Sequence, residues 1–108
     1  MARTIQFTYE GKDYTLEFNR RSIEKMEQNG FDIESAVSKP MSTIPMLFEG
    51  AFLMHHPYAK KEVINEIFNL FTNKKELFEA LTDMYSEPLE ALLEDNTSKN
   101  AIAWGKNF

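Results

Sequence analysis

The side chains best suited to chemistry are two adjacent histidines, His55 and His56, and a spread of carboxylates. Histidine changes charge near neutral pH and is a common metal ligand. Neighbouring residues on a helix point in different directions, however, and no HExxH or comparable spacing surrounds this pair. A position at a helix end, beside Pro57, suits the histidines to the helix dipole instead. Glu62 and Glu66 are helical neighbours, as are Glu76, Glu79 and Asp83. Acid/base catalysis would need two such carboxylates in one cleft with their pKa values driven apart. The spacing here reads more simply as a solvated acidic face. The chain has no cysteine, hence no thiol nucleophile, no disulfide scaffold and no cysteine-type zinc site. It also lacks a Ser-His-Asp signature, a nucleophile elbow, a P-loop and a GxGxxG turn. The residues point to a protein that is not an enzyme and needs no metal or other cofactor.

Charge narrows the partners. Seventeen acids face 12 bases in 108 residues, a net charge of −5. A nucleic-acid binder needs a basic face to displace counterions, and the pairs Lys60–Lys61 and Lys74–Lys75 are short. A DNA-reading helix is polar and basic, whereas the helical segments here are apolar or acid-rich. The opening "MARTIQFTYEGKDY" alternates and carries acids, unlike a signal peptide. No apolar run approaches membrane-spanning length. The expectation is a cytoplasmic protein whose partners are other proteins, with no membrane and no nucleic acid among them.

These residues must be positioned by a small set of elements. "TIQFTYEGKDYTLEFN" predicts two strands around a two-residue II′ turn at Gly11-Lys12. That register sets Tyr9 opposite Tyr14, Phe7 opposite Leu16 and Ile5 opposite Phe18, all on one face, with Thr8 and Thr15 on the other. Two strands alone are marginal, so helices must cover the aromatic face. Asn19 predicts a helix cap at Arg20, and "NG" at 29–30 its end. Asp32 heads a short piece carrying Ile33, Ala36 and Val37, closed by Pro40. A helix starting at Ser42 or Thr43, with Pro45 in its first turn, runs through "IPMLFEGAFLMHHP". It is apolar nearly all round, so it is buried on most sides or packs on a partner. Its Gly50-Ala51 pair makes a notch that core packing would fill. "AKKEVINEIFNLF" sets Val63, Ile64, Ile67, Phe68 and Phe71 at helical spacing. Thr72 predicts the next cap, and Leu77, Leu81, Met84 and Tyr85 form the following stripe. Pro88 either starts another helix or kinks a long one. The fold class is therefore α+β and mostly α-helical: an N-terminal two-stranded antiparallel β-hairpin packed on a bundle of about four to five helices. One folded domain spans residues 1–95, with the hairpin at 4–18 and helices after 20. Residues 96–108 form a tail that is either flexible or docks.

The order of these elements resembles a known family. "F-x-Y-E-G-K-x-Y-x-L-x-F" leads straight into "NRRSIEKMEQNGFDI", then a strongly apolar helix, "KEVINEIFNLF" and a final acidic helix. From about Thr4 to Leu93 this looks like the tail assembly chaperones of long-tailed bacteriophages and prophages, especially those of Gram-positive hosts. The junction "R-x-I-x-x-M-E-x-x-G" carries the resemblance most specifically. What the resemblance implies is a non-enzymatic role in the host bacterial cytoplasm. Such proteins hold the tape measure protein, a long, helical, aggregation-prone chain, while tail tube subunits polymerise around it. They depart before the tail is complete. The family also commonly makes a longer product by ribosomal frameshifting, whose added domain meets the major tail tube protein. Gly105-Lys106-Asn107 can be encoded with a slippery string, as can Lys74-Lys75-Glu76.

On that reading, Met46, Phe48, Phe52 and Met54 of the apolar helix are candidate client contacts, because helix-in-groove binding uses such surfaces and methionine adapts to many apolar partners. The same four side chains could instead fill the core. The apolar helix also offers a route to self-association. In the tail, the only tryptophan, Trp104, stands with Ile102 and Phe108 beyond the polar run "EDNTSKN". These three are candidates for a short docking peptide. Two other readings are a different phage structural protein, such as a head–tail connector or minor tail component, and a small acidic regulator such as an antitoxin.

Overall fold

The computed structural model describes residues 3–108; residues 1 and 2, which open the expected 1–95 domain, lie outside the described residues. Within them the fold is α+β and mostly helical. Strands β1 (Ile5–Tyr9) and β2 (Lys12–Leu16) form an antiparallel hairpin. Helices α1 (Arg20–Gln28), α2 (Ser35–Ser38), α3 (Pro40–Gly50), α4 (Lys61–Leu70) and α5 (Lys74–Leu92) follow in order.

The hairpin turns one residue earlier than its glycine suggested. Glu10 and Gly11 are the two loop residues, at φ 48° and 76°. Positive φ at both positions is the I′ geometry, whose twist matches that of the strands. The ladder therefore pairs Phe7 with Tyr14 and Ile5 with Leu16, two residues away from the expected partners, and Tyr9 faces Lys12. A shift of two leaves every side chain on its expected face, because strand side chains repeat every two residues. The pattern alone could not separate the two registers. Local contacts do favour the observed one: the Phe7 and Tyr14 rings stack 5.1 Å apart, and on the wet face the Thr8 hydroxyl donates to Asp13 Oδ1 at 2.8 Å.

Asn19 caps α1 as its residue type predicts. Its side-chain Oδ1 accepts from the Ser22 N–H at 2.7 Å, and the Ser22 hydroxyl accepts from the Asn19 N–H at 3.0 Å. Two of the donors left over at the start of the helix are thereby met in a closed box. Replacing Asn19 with alanine is expected to cost about 1 kcal/mol of unfolding free energy, within a range of roughly 0.5–2, read from the urea midpoint at constant m-value. Gly30, at φ 93°, supplies the left-handed residue that ends the helix.

Two prolines correct the expected boundaries. Pro40 opens α3 as its first residue rather than closing the piece before it, since a proline at a first helical position gives up no hydrogen bond. Pro45 consequently lies inside α3. Beyond Gly50 the chain tightens into turns, with Phe52 N–H bonded to Glu49 and Leu53 N–H to Gly50, so the apolar segment is a helix plus a turn. Before α5 the cap position falls to Asn73, not Thr72, in a left-handed conformation whose amide donates to Glu76. Pro88 sits inside one continuous α5.

The core lies between the hairpin's aromatic face and the helices. Leu16, Leu47, Phe48, Phe52 and Leu81 are its most fully enclosed large side chains. Phe48 meets the rings of Phe52, Phe68 and Phe71 at 5.1–5.5 Å. At the other end Tyr85 of α5 stands edge-on to Phe18 and Phe31, each at 5.6 Å. The small-residue notch is occupied: a Cβ on Gly50 would overlap Sδ and Cε of Met26 from α1. After Leu92 the residues form neither helix nor strand, and all are exposed.

A methionine-lined groove as candidate functional site

The four apolar candidates of the α3 segment separate by exposure. Phe48 and Phe52 are each 1% exposed and belong to the core; this folded state withholds them from a partner. Met46 and Met54 stand 36% and 39% exposed. An all-round apolar helix shows no face from sequence, so only packing could divide the four.

Met46 and Met54 line two adjoining openings along α1. The first, about 360 Å³, is bounded by Met26, Phe31, Met46, Leu53 and the charged pair Glu49 and Lys61. The second, about 330 Å³, is bounded by Arg21, Lys25, Leu53 and Met54. Leu53 lines both, so the two openings lie side by side and are taken together as one groove. Three bases, Arg21, Lys25 and Lys61, and one acid, Glu49, stand around it. The rim thus has the opposite sign from the chain, whose net charge is −5. Met46 and Met54 are legible as candidates from the apolar helix, whereas Leu53 and the basic rim are not. Arg21 and Lys25 come from α1 and Lys61 from α4, and nothing in their local sequence announces that they converge.

The groove suits an apolar ridge flanked by acids. A methionine thioether is flexible and polarizable and conforms to irregular apolar surfaces. No group of three or more His, Cys, Asp or Glu side chains among the described residues is placed to hold a metal.

The two histidines have separate structural partners. His55 Nε2 lies 2.8 Å from Glu17 Oε1, an ion pair whenever the imidazole carries both protons. The Thr15 N–H donates to His56 Nε2 at 3.0 Å, which requires a lone pair on that nitrogen and so the neutral ring. Burial, and then the Lys12 and His55 charges, hold the His56 pKa below its usual value. An unfolded chain protonates this residue near pH 6.5 while the folded one resists. The resulting stability is fully present above about pH 6.5 and is lost as pH falls from there toward the lowered folded value. Urea midpoints should therefore drop across that window. His56→Gln should flatten the drop relative to the parent chain, while the Glu17–His55 pair remains in both.

Tyr85 has its pKa pushed up to about 12, first by burial and then by the Glu27 and Asp32 carboxylates. Its hydroxyl stays protonated at neutral pH. The tail candidates lie apart from the groove's walls: Ile102 is 88% exposed, Trp104 82% and Phe108 fully exposed.

Among known families, one described as "Domain of unknown function (DUF5055)" matches residues 1–108. No curated protein and no solved structure matches the chain.

Proposed function

The chain belongs to the DUF5055 family, and since that description names no activity, we propose from its surface and its element order that it is a tail assembly chaperone for the tape measure protein of a long-tailed phage or prophage. The observation that carries the reading is the groove of Met46, Leu53 and Met54 with its basic rim. It supports docking of an amphipathic helix whose apolar ridge is edged by acids. The acidic remainder of the body keeps a chaperone–client complex charged and dispersed in the host cytoplasm. On the same reading, the exposed Ile102 and Trp104 belong to the segment that would lead into a longer, frameshifted product meeting the tail tube protein.

Co-expression with the tape measure protein, whose gene this reading requires just downstream, tests this. The client should remain in the soluble fraction with the parent chain. Met46→Ser combined with Met54→Ser should weaken the complex by at least about tenfold, equivalent to roughly 1.4 kcal/mol, read under conditions where the variant's urea titration shows it fully folded, because both side chains are mostly covered and their truncation also lowers stability. A tape measure protein that pellets alongside the parent chain would sink the proposal. A connector or minor tail component would instead remain with purified virions.

A further inference from the structure

The hairpin is sealed along one edge only. In its register the pairs Ile5–Leu16, Phe7–Tyr14 and Tyr9–Lys12 exchange ladder bonds, so the backbone groups of Gln6 and Thr8 on β1, and of Asp13 and Thr15 on β2, point outward. On the β2 side the Thr15 N–H is met by His56, and the Glu17 N–H just past the strand by the Ala51 carbonyl at 3.1 Å, which leaves only Asp13, beside the turn, with no main-chain bond there among the described residues. On the β1 side no hydrogen bond among the described residues reaches the main chain of Gln6 or Thr8. Thr4 to Thr8 is uncharged and contains no proline, so it lacks two of the devices that discourage an added strand. Beside this edge lies a crevice of about 280 Å³ walled by Phe7, Ile67, Leu70 and Phe71. Leu70 is 65% exposed there.

The chain carries a segment patterned for that edge. Ile102 and Trp104 alternate with Ala101, Ala103 and Gly105, which in an extended strand places both large apolar side chains on one face and only small residues on the other. Charge agrees. Residues 96–108 carry Lys99 and Lys106 and no acid, whereas residues 1–95 carry all 17 acids and the remaining ten bases. At the Tyr9 end of the crevice, the Glu66 and Glu10 carboxylates lie close enough to push the Tyr9 pKa up to about 12, with Lys12 opposite Tyr9 in the ladder.

We propose that residues 101–105 of a second copy add to the outer edge of β1 as a third strand, with Ile102 and Trp104 in the crevice and the alanines on the wet face. A second copy fits better than the same chain, whose own tail stands away from this edge, with Ile102 88% and Trp104 82% exposed. Reciprocal exchange of tails closes a two-fold dimer.

The full chain tests this through its single tryptophan and its mass. As concentration rises, sedimentation should show monomer passing to dimer, and Trp104 emission should move to shorter wavelength over the same range. Ile102→Asp in the tail and Leu70→Asp in the crevice wall change exposed residues and should leave far-UV circular dichroism unaltered. Each should abolish both the dimer and the emission shift, and Thr8→Pro, which removes an outward N–H, should do the same. A monomer with water-exposed tryptophan at every concentration would overturn the proposal. So would a shifted emission that ignores concentration, which would mean docking within one chain, or a dimer indifferent to Leu70→Asp and Thr8→Pro.

Discussion

Replacing Phe48 with alanine is expected to lower the unfolding free energy by about 3–5 kcal/mol. The ring is 1% exposed and touches three others, from the turn after α3, from α4 and from the α4–α5 connection. Its removal deletes the contact that ties α3 to α4, and surrounding rings held by their own backbones refill the space only partly. Domains of this size have about 5–15 kcal/mol in total, so the variant should be measurably unfolded at room temperature in modest urea. Circular dichroism against denaturant reads the loss directly. A cost below about 1 kcal/mol would place the ring outside the core and return Phe48 to the client-contact candidates. Met46→Ser, at 36% exposure, should cost clearly less in the same titration.

Gly50→Val should be the next most damaging change, by about 1–3 kcal/mol. In an open helix the replacement of glycine is mildly favourable, since glycine is the poorest helix former after proline. Here the sign reverses because the Met26 thioether occupies the space a Cβ would take. Met26 is 5% exposed, and its way out is the groove that it already lines. The variant must either strain the α1–α3 contact or push a methionine into the groove. Combining Gly50→Val with Met26→Ala should recover part of the loss, with a coupling of roughly 0.5–3 kcal/mol in a double-mutant cycle. Strict additivity would show that the two residues do not share this space.

Both predictions depend on distinctions that the sequence carries unevenly. Local signals read well: Asn19 at a cap, Gly30 at a helix end, and the alternation that puts Phe7, Tyr14 and Leu16 on one face. Signals that depend on choosing between equivalent periods read poorly. A hairpin pattern repeats every two residues, so it could not choose between registers two apart, and Glu10 is an unusual residue for positive φ. Pro40 fits the end of one helix and the beginning of the next equally well until the backbone is seen. The candidate site was the least legible. Met46 and Met54 could be named because they belong to an apolar helix, but Phe48 and Phe52 share that property and differ only in what packs on them. The basic rim is a product of tertiary approach, bringing α1 and α4 to the same opening, and no window of sequence contains it.

The sealed edge of β2 also has a meaning in time. Thr15 waits for His56, 41 residues away, and Glu17 for Ala51. A two-stranded hairpin is marginal alone, so β1 and β2 persist only once α1, α2 and α3 have brought that turn back to them. Closing so long a loop costs only about 1 kcal/mol more than closing one of ten residues, yet it must come before the strands gain their lasting partners. The hairpin is thus completed late: the stretch through His56 has to be synthesised before β1 and β2 can hold their shape.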